Sequence, residues 1–315
     1  MSVELSIIIC THNRYDVLPD AITSVETQDD PSSFELIIVD NSSDIASQRK
    51  FLQAADITCR HQIILEAVPG LSRARNIGVK AAKGHLVAFM DDDAQATTRW
   101  ATQIIRTMRE YQNAGICGGP VRPIWPVSRP PWLHKWLEGF LTIVDRGPTV
   151  RELPESEWLA GTNIIFRRDL LLAAGLFNEN LGRVGKLLLS NEELAVSTRI
   201  RSMGHGVVYN PEIEMFHRVH ADRVNQAWMR RRVFWQVISD LFSHGPPDQI
   251  FERDVDKILD FQMLLPAKER GLSGLFLDLE SPDAFYAQTE ALALLVRLIA
   301  TDGRDWQEFL QTSTP

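Results

Sequence analysis

Three apolar runs in the first third of the chain each break off into a cluster of polar side chains. LSIIIC runs into THNR, FELIIV into DNSSD, and HLVAFM into DDDA. An apolar run without alternation is buried on both faces, as strands of a parallel sheet are. Between the runs, apolar residues recur at helical spacing: Val17, Leu18, Ala21, Ile22 and Val25 first, then Leu71, Ala74, Gly78 and Ala81, then a helix over roughly 99–111. HQIILEA and AGICGGPV read as further strands. Strands alternating with helices imply βαβ units and an α/β fold with a mostly parallel sheet covered on both faces. Ligands of such sheets bind outside the carboxyl ends of the strands, which is where the polar clusters fall.

Residues 121–158 break the pattern. They carry Pro123, Pro126, Pro130, Pro131, Pro148 and Pro154 with Trp125, Trp132, Trp136 and Trp158. Trp132, Leu133, Trp136, Leu137 and Phe140 suit one short amphipathic helix. The segment reads as an irregular insertion: a packed cover, or a site for an apolar or carbohydrate acceptor or a membrane surface. WLAGTNIIFRRDLLLAAGLF then gives a strand and a helix stopping at Gly175. A helix from near Asn191 ends at Gly204, and GVVYNP is one more strand. From about residue 222 the pattern is helical. This divides the chain into 1–221, with the insertion at about 121–158, and a helical C-terminal extension over 222–315.

The charge balance narrows the function classes. With Lys+Arg 33 against Asp+Glu 41 the net charge is -8, which argues against a nucleic-acid partner. Cys10, Cys59 and Cys117 are odd in number and lack short spacings, so neither a disulfide framework nor a zinc site is expected; they read as free thiols in a reducing compartment. The amino-terminal stretch has no signal-peptide pattern. No apolar run approaches the ~18 residues of a membrane span, so a cytoplasmic protein is expected. No phosphate-binding GxxxxGK[ST] loop occurs.

Along an extended segment, Asp91 and Asp93 share one side and Asp92 takes the other. Two carboxylates that close repel unless a proton or a cation intervenes. A hard divalent ion bridging them to substrate phosphates fits their place at a strand end, although an aspartate triplet alone also suits a solvated loop or a helix cap.

SIIICTHNR, ELIIVDNSSD, GLSRARNIGVKAAKGHLVAFMDDDA, GTNIIFRRDLLLAAGLF, NEELAVSTRIRSMGHGVVYNP and MFHR, in this order, resemble the family 2 glycosyltransferases of the GT-A fold. The resemblance covers about residues 4–220. It implies a GT-A type, Rossmann-like sheet flanked by helices, and an inverting transfer of a sugar from a nucleotide-diphosphate sugar, foremost a UDP-sugar, to a carbohydrate or lipid-linked acceptor hydroxyl. It implies Mn2+ or Mg2+ at a DxD motif, with Asp93 as principal ligand and Asp91 near the ribose or the metal. Asp92 falls among the nucleotide-sugar-binding residues, with Thr11, Asn13 and Arg14 at the first strand end, Asp40 at the base, Arg75, and Arg73 as a helper. Arg73 and Arg75 suit a solvated helix face equally well.

In the family an acidic pair opens a helix running on to an Arg. Here EELAVSTR puts Glu193 at the catalytic position, where the family has Asp, and the longer side chain leaves Glu192 as the alternative base. Both glutamates also suit a helix N-terminus electrostatically. His217 matches a metal-site histidine or is structural, with His220 as a spare. Competing readings are a sugar-1-phosphate nucleotidyltransferase, which would want a glycine-rich loop where THNRYD stands, and a nucleotide-sugar-binding scaffold without turnover. Peripheral contact with the inner face of the membrane and a homo-oligomer stay open.

Overall fold

The computed structural model describes residues 3–183, 185, 187–245 and 252–300. The chain divides into two compact units: Met1–Ile124, Thr142–Lys186 and Glu192–Arg218 form a sheet unit, and Trp125–Leu141, Leu187–Asn191 and Val219–Pro315 a helical unit.

The sheet unit runs β1 (Leu5–Thr11), α1 (Leu18–Glu26), β2 (Phe34–Asp40), α2 (Ile45–Ala54), β3 (His61–Leu65), α3 (Leu71–Ala81), β4 (Leu86–Asp91), β5 (Ala94–Ala96), α4 (Trp100–Glu110), β6 (Ala114–Gly118) and β7 (Val121–Ile124). It resumes with β8 (Arg151–Glu152), β9 (Ile164–Arg167), α5 (Arg168–Ala173), α6 (Glu192–Ser202), β10 (Gly206–Tyr209) and β11 (Met215–Arg218). The main sheet has the order β3-β2-β1-β4-β9-β6-β10-β8, and β5-β11-β7 form a small second sheet. The first four strands are parallel, as are β6 and β10. β9 lies antiparallel between β4 and β6.

Alternation explains the unbroken apolar runs. Ile7 and Ile9 enter a core with Leu18, Ile22, Trp100 and Ile104 of α1 and α4. Ile8, Val87 and Phe89 enter the opposite core with Ala74, Val79, Val196 and Ile200 of α3 and α6. Gly78 lets α3 lie against β1, because a Cβ there would come within 2.6 Å of Ile8 Cγ2. The register then sets the polar ends level. Thr11 lies opposite Asp40, and Cys10 opposite Asp91.

The helical unit contains a 3₁₀ helix (Lys135–Leu141), α7 (Gln226–His244), α8 (Glu252–Leu264) and α9 (Pro282–Ala300). The aromatic segment packs here. Trp132 meets Phe285 edge to face at 5.1 Å, His134 stacks on Tyr286 at 4.6 Å, and Arg232 covers Phe140 at 5.4 Å. Trp136 alone of these rings is largely uncovered, at 74% exposure. The expected helical extension over 301–315 lies outside the described residues. Among the described residues, no helix is long and apolar enough to cross a membrane.

Candidate active site

The end of β4 carries the densest charge. Asp91 and Asp93 turn to one side and are joined by His217, with one ligand atom of each within 4.8 Å of the others; His220 is outside this group. The small sheet brings the histidine there: β11 pairs antiparallel with β5, setting His217 opposite Ala94, next to the aspartates. His217 Nε2 lies 3.2 Å from Asp93 Oδ1. Arg14 spans the other side, with Nη2 2.7 Å from Asp93 Oδ2 and Nη1 2.9 Å from Asp92 Oδ1. Thr11 Oγ1 donates to Asp92 Oδ2 at 2.8 Å.

Burial pushes the Asp92 carboxyl up to about 7; Arg14 opposes this, while Asp93 and Asp91 add to it. Three carboxyl groups thus crowd this strand end, with Arg14 paired to Asp92 and Asp93. Two carboxylates and an imidazole form a donor set that suits Mn2+ or Mg2+, so these residues could hold a divalent cation.

Asp40 closes β2. It is fully buried and accepts from Tyr15 Oη at 2.8 and 3.0 Å and from the Ser42 N–H at 3.1 Å. Tyr15 stacks on Phe51 with centroids 5.3 Å apart. Asn13 sits at φ 56°, a left-handed conformation that asparagine tolerates. Its Oδ1 accepts from the Ser43 and Asp44 N–H groups at 3.2 and 2.9 Å, tying the loop after β1 to the loop after β2. Asn41 continues the seam: its amide donates to the Glu66 and Val68 carbonyls and accepts from the Gly70 N–H before α3. Arg73 turns to Glu66 at 3.3 Å and Glu179 at 3.5 Å.

Glu192 and Glu193 open α6. Glu192 is buried, with Oε1 2.8 Å from Arg75 Nη1. The Arg75 guanidinium lies 5.5 Å from the ring centres of both Phe89 and Phe177. Its Nη2 donates to the Gly161 carbonyl at 3.3 Å and comes within 3.9 Å of Asp91 Oδ1. Glu193 is partly exposed along its length, but its Oε2 is sealed and has no hydrogen-bond partner among the described residues. Burial pushes its carboxyl up to about 8, with the neighbouring Glu192 charge adding and Arg75 opposing.

A carboxylate oxygen without a hydrogen-bond partner is a candidate proton acceptor, and both Glu192 and Glu193 carry one. The sequence signature described as Glycosyl transferase family 2 matches residues 6–172. The chain belongs to glycosyl transferase family 2. It is 29% identical over 246 residues to the glucosyl-dolichyl phosphate glucuronosyltransferase of Haloferax volcanii, covering 75% of this chain and 76% of that protein. The succinoglycan biosynthesis protein ExoM of Rhizobium meliloti is 25% identical over 240 residues, covering 74% and 72%.

The fold is also that of the mannosyltransferase PcManGT from Pyrobaculum calidifontis, solved with GDP-Man and Mn2+. The TM-score is 0.54 at 17% identity, covering 99% of this chain and 79% of that one. For S. aureus TarS with UDP-GlcNAc the TM-score is 0.53 at 16% identity, covering 96% and 93%. The protein is accordingly a glycosyltransferase of GT-A architecture.

Family 2 membership also gives context to three residues that sequence reasoning passed over. Gly161, Thr162 and Asn163 precede β9. Thr162 Oγ1 accepts the Asp91 N–H at 2.9 Å, anchoring the acidic strand end. Asn163 accepts from Trp100 Nε1 at 2.9 Å and donates to the carbonyls of Pro120 and Ile213 at 3.1 and 2.7 Å. The available signal was a small-polar-polar triplet, GTN, directly ahead of an apolar strand.

Proposed function

We propose that this glycosyltransferase moves a sugar from a nucleotide-diphosphate sugar to an acceptor hydroxyl, with inversion and with a divalent cation at Asp91, Asp93 and His217. The observation that carries this reading is the reach of Arg75, which touches both the acidic strand end at Asp91 and the acid pair at Glu192. Cation-holding and proton-accepting groups thus lie within the span of one guanidinium.

Glu193 is the proton acceptor. Among the described residues, Glu192 makes a 2.8 Å ion pair with Arg75 and Glu193 makes none, although each keeps one buried carboxylate oxygen without a hydrogen-bond partner. As Glu193 takes the proton, the acceptor oxygen bonds to the anomeric carbon from the side opposite the leaving group. The bond from that carbon to the phosphate oxygen breaks, and its electron pair leaves with the nucleoside diphosphate. A bound Mn2+ or Mg2+ would supply charge neutralisation for the departing diphosphate. Arg14 holds Asp92 and Asp93 in place for it. Asp40 offers a buried carboxylate to an N–H edge of the base, and Thr11, Asn13, Arg73 and Asp92 border the nucleotide.

A UDP-sugar is the favoured donor, and a carbohydrate or lipid-linked acceptor follows from the names of the relatives. A lipid-linked acceptor would bring the protein to the inner face of the membrane as a peripheral, cytoplasmic enzyme. The test is a panel of nucleotide sugars incubated with and without Mn2+, with the anomeric configuration of the product read by NMR. Inverted product and Mn2+-dependent turnover are expected. Retained configuration would overturn the direct displacement, and turnover indifferent to a chelator would overturn the cation.

A further inference from the structure

Arg75 stands among the residues expected to bind the nucleotide sugar, yet its donors are engaged within the protein. Its side chain is 4% exposed, whereas that of Arg14 is 28% exposed. It rests against the edge-to-face pair of Phe89 and Phe177, and its donors go to Glu192 and to the Gly161 carbonyl. We propose that Arg75 is a positioning residue for proton transfer and not a ligand of the donor: it fixes Glu192 as an ion pair at the start of α6, and so leaves Glu193 as the proton acceptor. This rests on the reading of Glu193 as the base.

The physical case starts from the acid pair. Two adjacent carboxyl groups away from water cannot both be charged without compensation. The Arg75 guanidinium is held by its bond to the Gly161 carbonyl and by the aromatic pair it rests on, and the carboxylate its Nη1 meets is Glu192, at 2.8 Å. Gly161 holds the arrangement from below. A Cβ there would lie 2.9 Å from both Arg75 Nη2 and Glu193 Oε1. Gly161 is not among the positive-φ glycines, so glycine is needed for space and not for backbone conformation. It therefore lets Arg75 and Glu193 approach the same backbone position without sharing a bond.

The experiment uses the full chain. Affinity for UDP and for GDP with Mn2+ is measured by calorimetry, and turnover is measured at a saturating concentration of the nucleotide sugar found active in the panel. Arg75→Gln is expected to keep nucleotide affinity within about twofold and to lower turnover ~10²-fold. Arg75→Lys, which keeps a charge for Glu192, should recover part of that loss. The double variant Arg75→Gln/Glu192→Gln should be no slower than Arg75→Gln, because the carboxylate that needed compensation is gone.

Nucleotide affinity lost about tenfold or more, with turnover at saturation kept, would make Arg75 a donor ligand and overturn the proposal. Additive losses in the double variant would overturn it too. Should Arg75→Gln fail to fold, Gly161→Ala carries the test: slower turnover with unchanged nucleotide affinity supports the proposal, and unchanged turnover overturns it. Glu193→Gln separates the two claims. If it retains full turnover, the base assignment itself fails. If it loses turnover while Arg75→Gln does not, only the role given to Arg75 fails.

Discussion

Asp93 Oδ1 and His217 Nε2 lie 3.2 Å apart, although every element from β5 to β10 separates them in sequence. The pairing of β11 with β5 makes this contact, and His217 Nδ1 is buried without a hydrogen-bond partner among the described residues. Together with Asp91 and Asp93 this imidazole forms a donor set that could hold a divalent cation.

The first prediction follows from that contact. Loss of even an outer partner of a metal ligand typically lowers metal affinity about 10–100-fold. His217→Gln and Asp93→Asn should therefore each weaken Mn2+-dependent UDP binding by at least tenfold, and change metal-free binding far less. Calorimetry with and without Mn2+ reads both. Equal nucleotide affinity of the unaltered protein with and without metal would remove the role.

Glu193→Gln keeps size and most hydrogen bonding while removing the proton acceptor. Turnover should fall ~10²–10⁴-fold, with UDP–Mn2+ affinity near that of the unaltered protein. Because the carboxyl of the free protein is raised to about 8, kcat/KM should climb with pH until about 8, and this rise should vanish in Glu193→Gln. A variant with near-normal turnover would transfer the assignment to Glu192.

The same carboxyl makes stability depend on pH. Its folded-state value of about 8 stands above the ordinary 4.5, so the folded protein holds a proton that the unfolded chain has released between those values. Stability from this group is therefore present below the ordinary value and lost as pH rises towards 8. Glu193→Gln, which carries no charge, should melt at a higher temperature than the unaltered protein at pH 8, with a smaller difference near pH 5. Thermal melts across pH read this directly; parallel curves would refute it.

Trp132 and Trp136 should now behave differently. Trp132 packs on Phe285, so Trp132→Ala is expected to cost roughly 1–3 kcal/mol of stability. Trp136 is 74% exposed, and Trp136→Ala should leave the melting temperature nearly unchanged. If the aromatic segment serves the acceptor, Trp136→Ala will slow transfer and raise the share of donor hydrolysed, with nucleotide affinity intact. Unchanged transfer would restrict the segment to packing.

How much of this was legible in the chain depends on range. The apolar runs announced β1, β2 and β4, and the helical spacing announced α1, α3 and α4, because both periods follow from backbone geometry over a few residues. The same two-residue period separated Asp91 and Asp93 from Asp92. The sequence by itself therefore determined the layered α/β architecture and the polar strand ends that carry Thr11, Asp40 and Asp91.

Tertiary structure alone decided what lies across from what. The antiparallel insertion of β9, the meeting of His217 with Asp93, and the packing of residues 125–141 with α7 and α9 are not local properties. Arg75 shows the difference most clearly. On a helix repeat it could face solvent, a diphosphate or the core. Its burial against the Phe89–Phe177 pair and Glu192 comes from three other segments of the chain converging on one point. No short window of residues records such a convergence, because the free energy that selects it resides in packing and charge compensation between segments far apart in sequence.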